Sequence, residues 1–280
     1  MITAPSPGVY SVSAEIYHQW DAVNQSLLTT VAQQGPKQAR YEQLHPRDPT
    51  PNMVLGDQAH TFVLEEAEIN KRFAKVLDLP KTSAAAKAEH KKHEAKHKGK
   101  DFLKLDRIEK LQGMRNEMHH QPDFAQLWER RKGVELCIVW VDKETGLLCK
   151  ARLDLIAPFA GMMIVLDYKT SANAREYKFA ASIYTFGYDI QGAHYLAAAD
   201  SIETGPQRKF VLAAQETKPV YNCMLHPLGE ASLESGRIRR RDALLTWAEC
   251  LHTDTFPGYP TGLNDVEMPS YAMHLFSEFA

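Results

Sequence analysis

Apolar positions recur along the chain at two spacings. At helical spacing they cover 13–34, 52–73, 102–119 and 123–130, the last segment with Pro122 near its start. From residue 133 the pattern becomes that of strands, at 133–142, 147–156 and 161–170. Thr145-Gly146 marks the first turn, and Pro158, Phe159, Ala160 and Gly161 form the second. Helices at 174–183 and 188–201, strands at 209–216 and 220–225 and a final helix at 229–251 complete the series. Strands, then helix, then strands predict an α/β fold with a mixed central β-sheet flanked by helices. The expected organisation is a single domain over 1–280, with a helical part at 13–130 and a core at 133–225. No internal repeat is present.

The strand pattern isolates a few charges in apolar surroundings. Side chains at i and i+2 share a face, so Asp167 and Lys169 project together while Leu166 and Tyr168 point away. The turn after 156 folds the two strands into a hairpin that would bring Asp154 beside Asp167. An isolated Asp-x-Lys is ordinarily a surface ion pair, but Ile164, Val165 and Leu166 make this run too apolar for an exposed edge. Two partly buried carboxylates repel each other, and a divalent cation relieves the repulsion. Magnesium suits them, because it prefers hard oxygen ligands, retains waters and lets phosphate oxygens complete its shell. Lys169 would then orient a nucleophile or neutralise developing charge, which is the equipment for phosphodiester hydrolysis.

Several motifs carry a family resemblance: Arg152-Leu153-Asp154-Leu155-Ile156, Asp167-Tyr168-Lys169-Thr170, Gln191 with Tyr195, and Gly56-Asp57-Gln58-Ala59-His60 upstream. Together with 10–41 and 135–170 they resemble the restriction-endonuclease-like PD-(D/E)XK nucleases, in the exonuclease VIII (RecE-type) branch of phages and prophages. The likeness covers about two thirds of the sequence, is poorest over 69–100, and departs from the family name in having Leu153 before Asp154. It implies a restriction-endonuclease-like core, with His60, Asp154, Asp167 and the carbonyl of Tyr168 as metal ligands. It also implies catalysis by Asp154, Asp167 and Lys169, and a DNA groove lined and supported by Gln191 and Tyr195. The implied activity is a magnesium-dependent exodeoxyribonuclease, with manganese as a substitute, degrading one strand of linear duplex DNA from 5′ to 3′ to leave 3′ overhangs for recombination. A ring-shaped homo-oligomer and a single-strand annealing partner belong to the same implication. Ser26 and Arg40 are candidates for binding a terminal phosphate. Read without the family, His60 on the apolar helix of Val54, Leu55, Ala59, Phe62, Val63 and Leu64 is an ordinary core histidine, and Gln191 and Tyr195 are core and boundary residues of an ordinary helix.

Composition changes this picture little. The 280 residues are 44% hydrophobic and 24% charged, ordinary for a soluble enzyme domain. Cys137, Cys149, Cys223 and Cys250 stand far apart without a Cys-x-x-Cys, which argues against zinc or iron–sulfur ligation and fits a reducing compartment. Residues 1–12 lack the features of a signal peptide, and no run reaches membrane-spanning length, so a cytoplasmic protein is expected. A net charge of −2 is unusual for a DNA enzyme, although Arg130, Arg131 and Lys132, and Arg237, Arg239, Arg240 and Arg241, form local basic clusters. Residues 84–100 hold six lysines and three histidines against Glu89 and Glu94. Their His93-Glu94-Ala95-Lys96-His97 matches a zinc-protease motif only literally, because the tract is laced with lysine and expected to be solvated on every side. It reads as an exposed helix or a mobile insertion over 83–100, able to touch duplex phosphate through charge. Rival functions are an endonuclease or accessory nuclease of the same core, or a non-catalytic DNA-binding scaffold.

Overall fold

The structure is a computed structural model that describes residues 2–80, 82–202, 205–263 and 265–268. In chain order it contains β1 (Ile2–Thr3), β2 (Gly8–Tyr10), α1 (Ala14–Gln19), β3 (Trp20–Asp21), α2 (Gln25–Gln34), α3 (Pro36–Leu44), α4 (Pro51–Leu64) and α5 (Glu66–Arg72). Next come β4 (Phe73–Lys75), α6 (Ala84–Lys96), β5 (Asp101–Leu103), α7 (Leu105–His120), α8 (Pro122–Glu129), β6 (Gly133–Val141), β7 (Leu148–Phe159) and β8 (Met162–Ser171). The chain continues through α9 (Glu176–Thr185), α10 (Tyr188–Ile202), β9 (Arg208–Glu216), β10 (Cys223–Pro227) and α11 (Glu230–Thr253).

Six strands form a mixed sheet in the order β10-β9-β8-β7-β6-β2. Only β8 and β9 run parallel, which requires the crossover through α9 and α10. The expected mixed sheet with flanking helices is therefore present. On one face α2, α10 and α11 pack over Ile138, Ala151, Val165, Phe210, Leu212 and Ala214. On the other, α4, α7 and α8 cover Leu155, Leu166, Tyr168, Val211 and Ala213. Gly192 permits the close seating of α10, since a Cβ there would lie 2.7 Å from Phe210 Cδ1.

Two of the expected helices are broken. The segment at 13–34 divides because Trp20–Asp21 pairs in parallel with Ile2–Thr3, after which Asn24 caps α2 by accepting from Leu27 N at 2.9 Å. The segment at 52–73 divides at Glu65, which ends α4 with φ −122° and ψ 54°. Thr50 caps the start of α4 and Pro51 occupies its first turn. The edge strand β2, too short to show a period, was not expected. The 84–100 tract is not solvated on every side, because α6 buries Ala86 and His90.

Candidate active site

Beyond Leu155↔Leu166 the β7–β8 ladder stops and the two strands part. Asp154 and Asp167 sit at the mouth of this fork, 7% and 1% exposed. Asp154 Oδ2 accepts the backbone N–H of Tyr168 at 2.8 Å, replacing the rung that a continued ladder would have supplied. Alternation sends Leu166 and Tyr168 into the α4-side core, where the Tyr168 hydroxyl donates to Gln215 Oε1 at 2.6 Å. Asp167 and Lys169 face the other way, as their spacing predicts. Lys169 Nζ lies 2.5 Å from Asp167 Oδ2 and 5.2 Å from the centre of the Tyr188 ring. Gln191 Nε2, from α10, donates to Asp167 Oδ1 at 2.7 Å.

His60 comes in from α4. Its Nε2 is 3.2 Å from Asp154 Oδ2 and 3.0 Å from Glu135 Oε1, and its Nδ1 is 3.6 Å from Glu65 Oε1. Glu135 reaches this position through an irregularity in β6. Its φ is 57°, in the left-handed region, and the β6–β7 ladder passes from Val134↔Leu155 to Leu136↔Leu153 without pairing Glu135 to Asp154. Across the break the buried faces change over: Leu153 joins the α10-side core and Leu155 the α4-side core. Arg152 bridges the outer oxygens, pairing with Glu135 Oε2 and standing 3.5 Å from Glu65 Oε2.

Burial and charge set the protonation of this cluster. Burial pushes the Asp167 carboxyl up to about 7, with Lys169 only partly offsetting it and Asp154 adding repulsion. Burial would also raise Asp154, but His60, Lys169 and the Tyr168 N–H hold it below the usual carboxylate range. For His60, burial favours the neutral ring, and the carboxylates of Asp154 and Glu135 overcome this and raise its pKa well above the ordinary value. Lys169 follows the same pattern: burial lowers it, Asp167 and Asp154 more than compensate, and it stays charged. Burial raises Glu135.

The donor set fits a hard divalent cation. Four acidic side chains, Glu65, Glu135, Asp154 and Asp167, form ion pairs among the described residues with His60, Arg152 and Lys169. Burial raises Asp167 despite Lys169 beside it. Among the described residues, His60, Glu65 and Glu135 have ligand atoms within 4.8 Å of one another. Arg152 already pairs with both glutamates of that trio, which leaves Asp154 and Asp167, beside His60 Nε2, as the alternative seat. A cleft of about 460 Å³ opens beside it, lined by Gly56, His60, Arg152, Tyr168, Lys169 and Tyr188 among others, with neither Asp154 nor Asp167 in its lining.

The structure thus brings together His60, Asp154, Asp167, Tyr168, Lys169 and Gln191. Tyr195 stands behind them, its phenol raised well above the usual range by burial, then by Asp167 and Asp154. Gln191 and Tyr195 are both buried, 3% and 7% exposed, Gln191 with its amide on Asp167. Ser26 and Arg40 lie outside the cleft. Ser26 lines a separate cavity of about 400 Å³, while Arg40 donates to Gln43 at 2.6 Å and stacks over Phe256. The α11 arginines are committed internally, Arg237 to Glu230 and Glu234, Arg239 to Asp189, Arg240 to Asp142 and Arg241 to Glu144. Glu65 and Glu135 were missed in the sequence; the available signal was Glu135 as a lone carboxylate between Val134 and Leu136. No helix is long and apolar enough to cross a membrane among the described residues.

Comparison with known proteins agrees with the fold. A family model described as a PDDEXK-like domain of unknown function (DUF3799) matches residues 25–267. Among solved structures, one from Eubacterium rectale described as "Putative exonuclease" superposes with a TM-score of 0.55 at 12% identity, covering 90% of this chain and 97% of that one. No curated protein matches the sequence.

Proposed function

The chain belongs to the PDDEXK-like domain family DUF3799, and from that membership and the Asp154/Asp167 fork we propose that it is a divalent-metal-dependent exodeoxyribonuclease acting on the ends of linear duplex DNA. The observation that carries the reading is the convergence of two buried carboxylates with one charged lysine and one histidine, the lysine and the histidine lining an open cleft. Asp154 and Asp167 would hold magnesium or manganese, together with His60 Nε2 and the Tyr168 carbonyl implied by the motif. Such an ion would act as a Lewis acid on the phosphoryl oxygen and acidify a bound water.

The chain's own groups supply the rest. Gln191 fixes the Asp167 carboxylate through Oδ1, leaving its other oxygen toward Lys169. Lys169 is held as an ammonium beside the position where charge develops on the phosphoryl group, so it stabilises that charge without reorganising. Glu65 and Glu135 bracket the His60 ring, while Arg152 holds both glutamates in place. Attack from 5′ to 3′, 3′ overhangs for recombination and a single-strand annealing partner are supported by the RecE-type likeness of the sequence motifs.

Incubation with linear and covalently closed duplex DNA, labelled at either end, tests the proposal. Magnesium- or manganese-dependent release of label from the 5′ ends of linear DNA alone is expected. Cleavage of closed circles would replace the exonuclease with an endonuclease. No hydrolysis of either substrate would overturn the enzyme reading.

A further inference from the structure

The lysine-rich helix α6 takes no part in the site, yet its two faces are sharply different. One face is anchored: Ala86 and His90 are buried, His90 Nε2 lies 2.6 Å from Leu79 O, and His93 Nε2 lies 2.9 Å from Lys75 O. Ser83 caps the helix by accepting from Ala86 N at 3.1 Å. At about 3.6 residues per turn, the opposite face has a centre formed by Ala84, Ala88 and Ala95. Lys87 and Lys91 flank it on one side, Lys92 and Lys96 on the other, and all seven residues are exposed. None of the four lysines is ion-paired with a carboxylate among the described residues, whereas the α11 arginines are all neutralised.

Location matters as much as charge. Lys100 Nζ donates to Asn70 O at 2.6 Å, β4 pairs with β5, and Phe73 and Leu103 belong to the core that also holds Phe62 and Val63 of α4. The helix therefore rides on the side of the sheet from which His60 enters the site. A low strip of methyl groups between two lysine rows lets a polyanion approach the helix axis while ammonium groups reach it from both sides. The face has no large apolar side chain to enter a bilayer or a hydrophobic protein groove.

We propose that this face of α6 is a phosphate-backbone clamp for duplex DNA, contacting it without reading sequence and holding it against the cleft. The identity of the polyanion rests on the nuclease reading above. Sequence-independent contacts of this kind set affinity and its dependence on salt, and leave the chemical step alone.

The test measures binding of labelled linear duplex by fluorescence anisotropy in EDTA across a salt series. Replacing Lys87, Lys91, Lys92 and Lys96 together by glutamine preserves helix propensity. If each lysine meets a phosphate, the slope of log K against log salt should fall by about 3 to 4 and affinity near 0.1 M salt by about 100-fold or more. Lys143→Gln with Lys218→Gln, which removes exposed charge elsewhere, should leave the slope unchanged. Ala88→Glu, placing a carboxylate in the methyl strip, should weaken binding with all four lysines intact. Circular dichroism should confirm that α6 persists in each variant.

Unchanged affinity and slope in the quadruple variant would overturn the clamp while leaving the nuclease reading standing. Lysine-dependent binding without hydrolysis in magnesium or manganese would do the reverse. Wild type that ignores duplex, or binds only vesicles of anionic phospholipid, would also overturn the clamp.

Discussion

Asp154 Oδ2 takes the backbone N–H of Tyr168 at 2.8 Å, so one candidate metal ligand also completes the hydrogen bonding of the strand that carries the other. Removing the side chain leaves a buried donor unpaired, which costs about 1–3 kcal/mol. Asp154→Ala should be less stable than Asp154→Asn by about that amount in urea unfolding with EDTA present, because the amide oxygen of asparagine can still accept. Both should lose hydrolysis. Equal stability of the two variants would show that the contact contributes nothing to the fold.

The second prediction concerns pH. Burial raises Asp167 from 3.8 to about 7, so the folded state binds its proton more tightly than the unfolded state does. The stability this supplies is complete below the ordinary carboxylate pKa and is lost as pH rises through about 7. Asp167→Asn stays neutral throughout. In EDTA its melting temperature should gain on that of the wild type as pH increases across this window, and added manganese should stabilise the wild type alone. A difference between the two that does not vary with pH would contradict the assignment.

Lys169 should act on turnover more than on binding. Lys169→Gln keeps length and hydrogen-bonding capacity but removes the charge, and turnover should fall by about 10²-fold or more. Duplex affinity in EDTA should change only a few-fold. A variant that loses affinity while keeping its maximal rate would reassign Lys169 to substrate binding.

Gly236 offers a test of the scaffold. A Cβ at this position of α11 would lie 2.0 Å from Asp189 O at the start of α10, the helix that delivers Gln191 to Asp167. Backbone cannot yield as a flexible side chain does, so Gly236→Ala should destabilise by about 1–3 kcal/mol. The measurable sign is a lower melting temperature. A neutral substitution would mean that α11 can shift without strain.

Legibility in the sequence followed the range of the interactions involved. Asp154, Asp167 and Lys169 could be read because a charge within an apolar strand run is locally anomalous, and alternation alone assigns it a face. His60 required the motif, since its helix is apolar in any reading. Glu135 stands out locally as a lone carboxylate between Val134 and Leu136, but its place in the site depends on a left-handed backbone inside β6, and that of Glu65 on a helix end. The fate of Arg40 depends on Phe256, far along the chain, which no local pattern connects to it. In α6 the inward positions 86, 90 and 93 keep helical spacing, but alanine and histidine give little hydrophobic signal beneath four lysines.

The acidic fork comes with its own resident cations. Lys169 rests on Asp167, His60 on Asp154 and Glu135, and Arg152 on the outer glutamates, so the pocket is assembled before any metal arrives. Loading would then resemble ion exchange on a rigid resin: a proton would leave the imidazole, while the ammonium and the carboxylates would keep their places. Uptake of metal should accordingly acidify the medium and leave the circular dichroism spectrum unaltered.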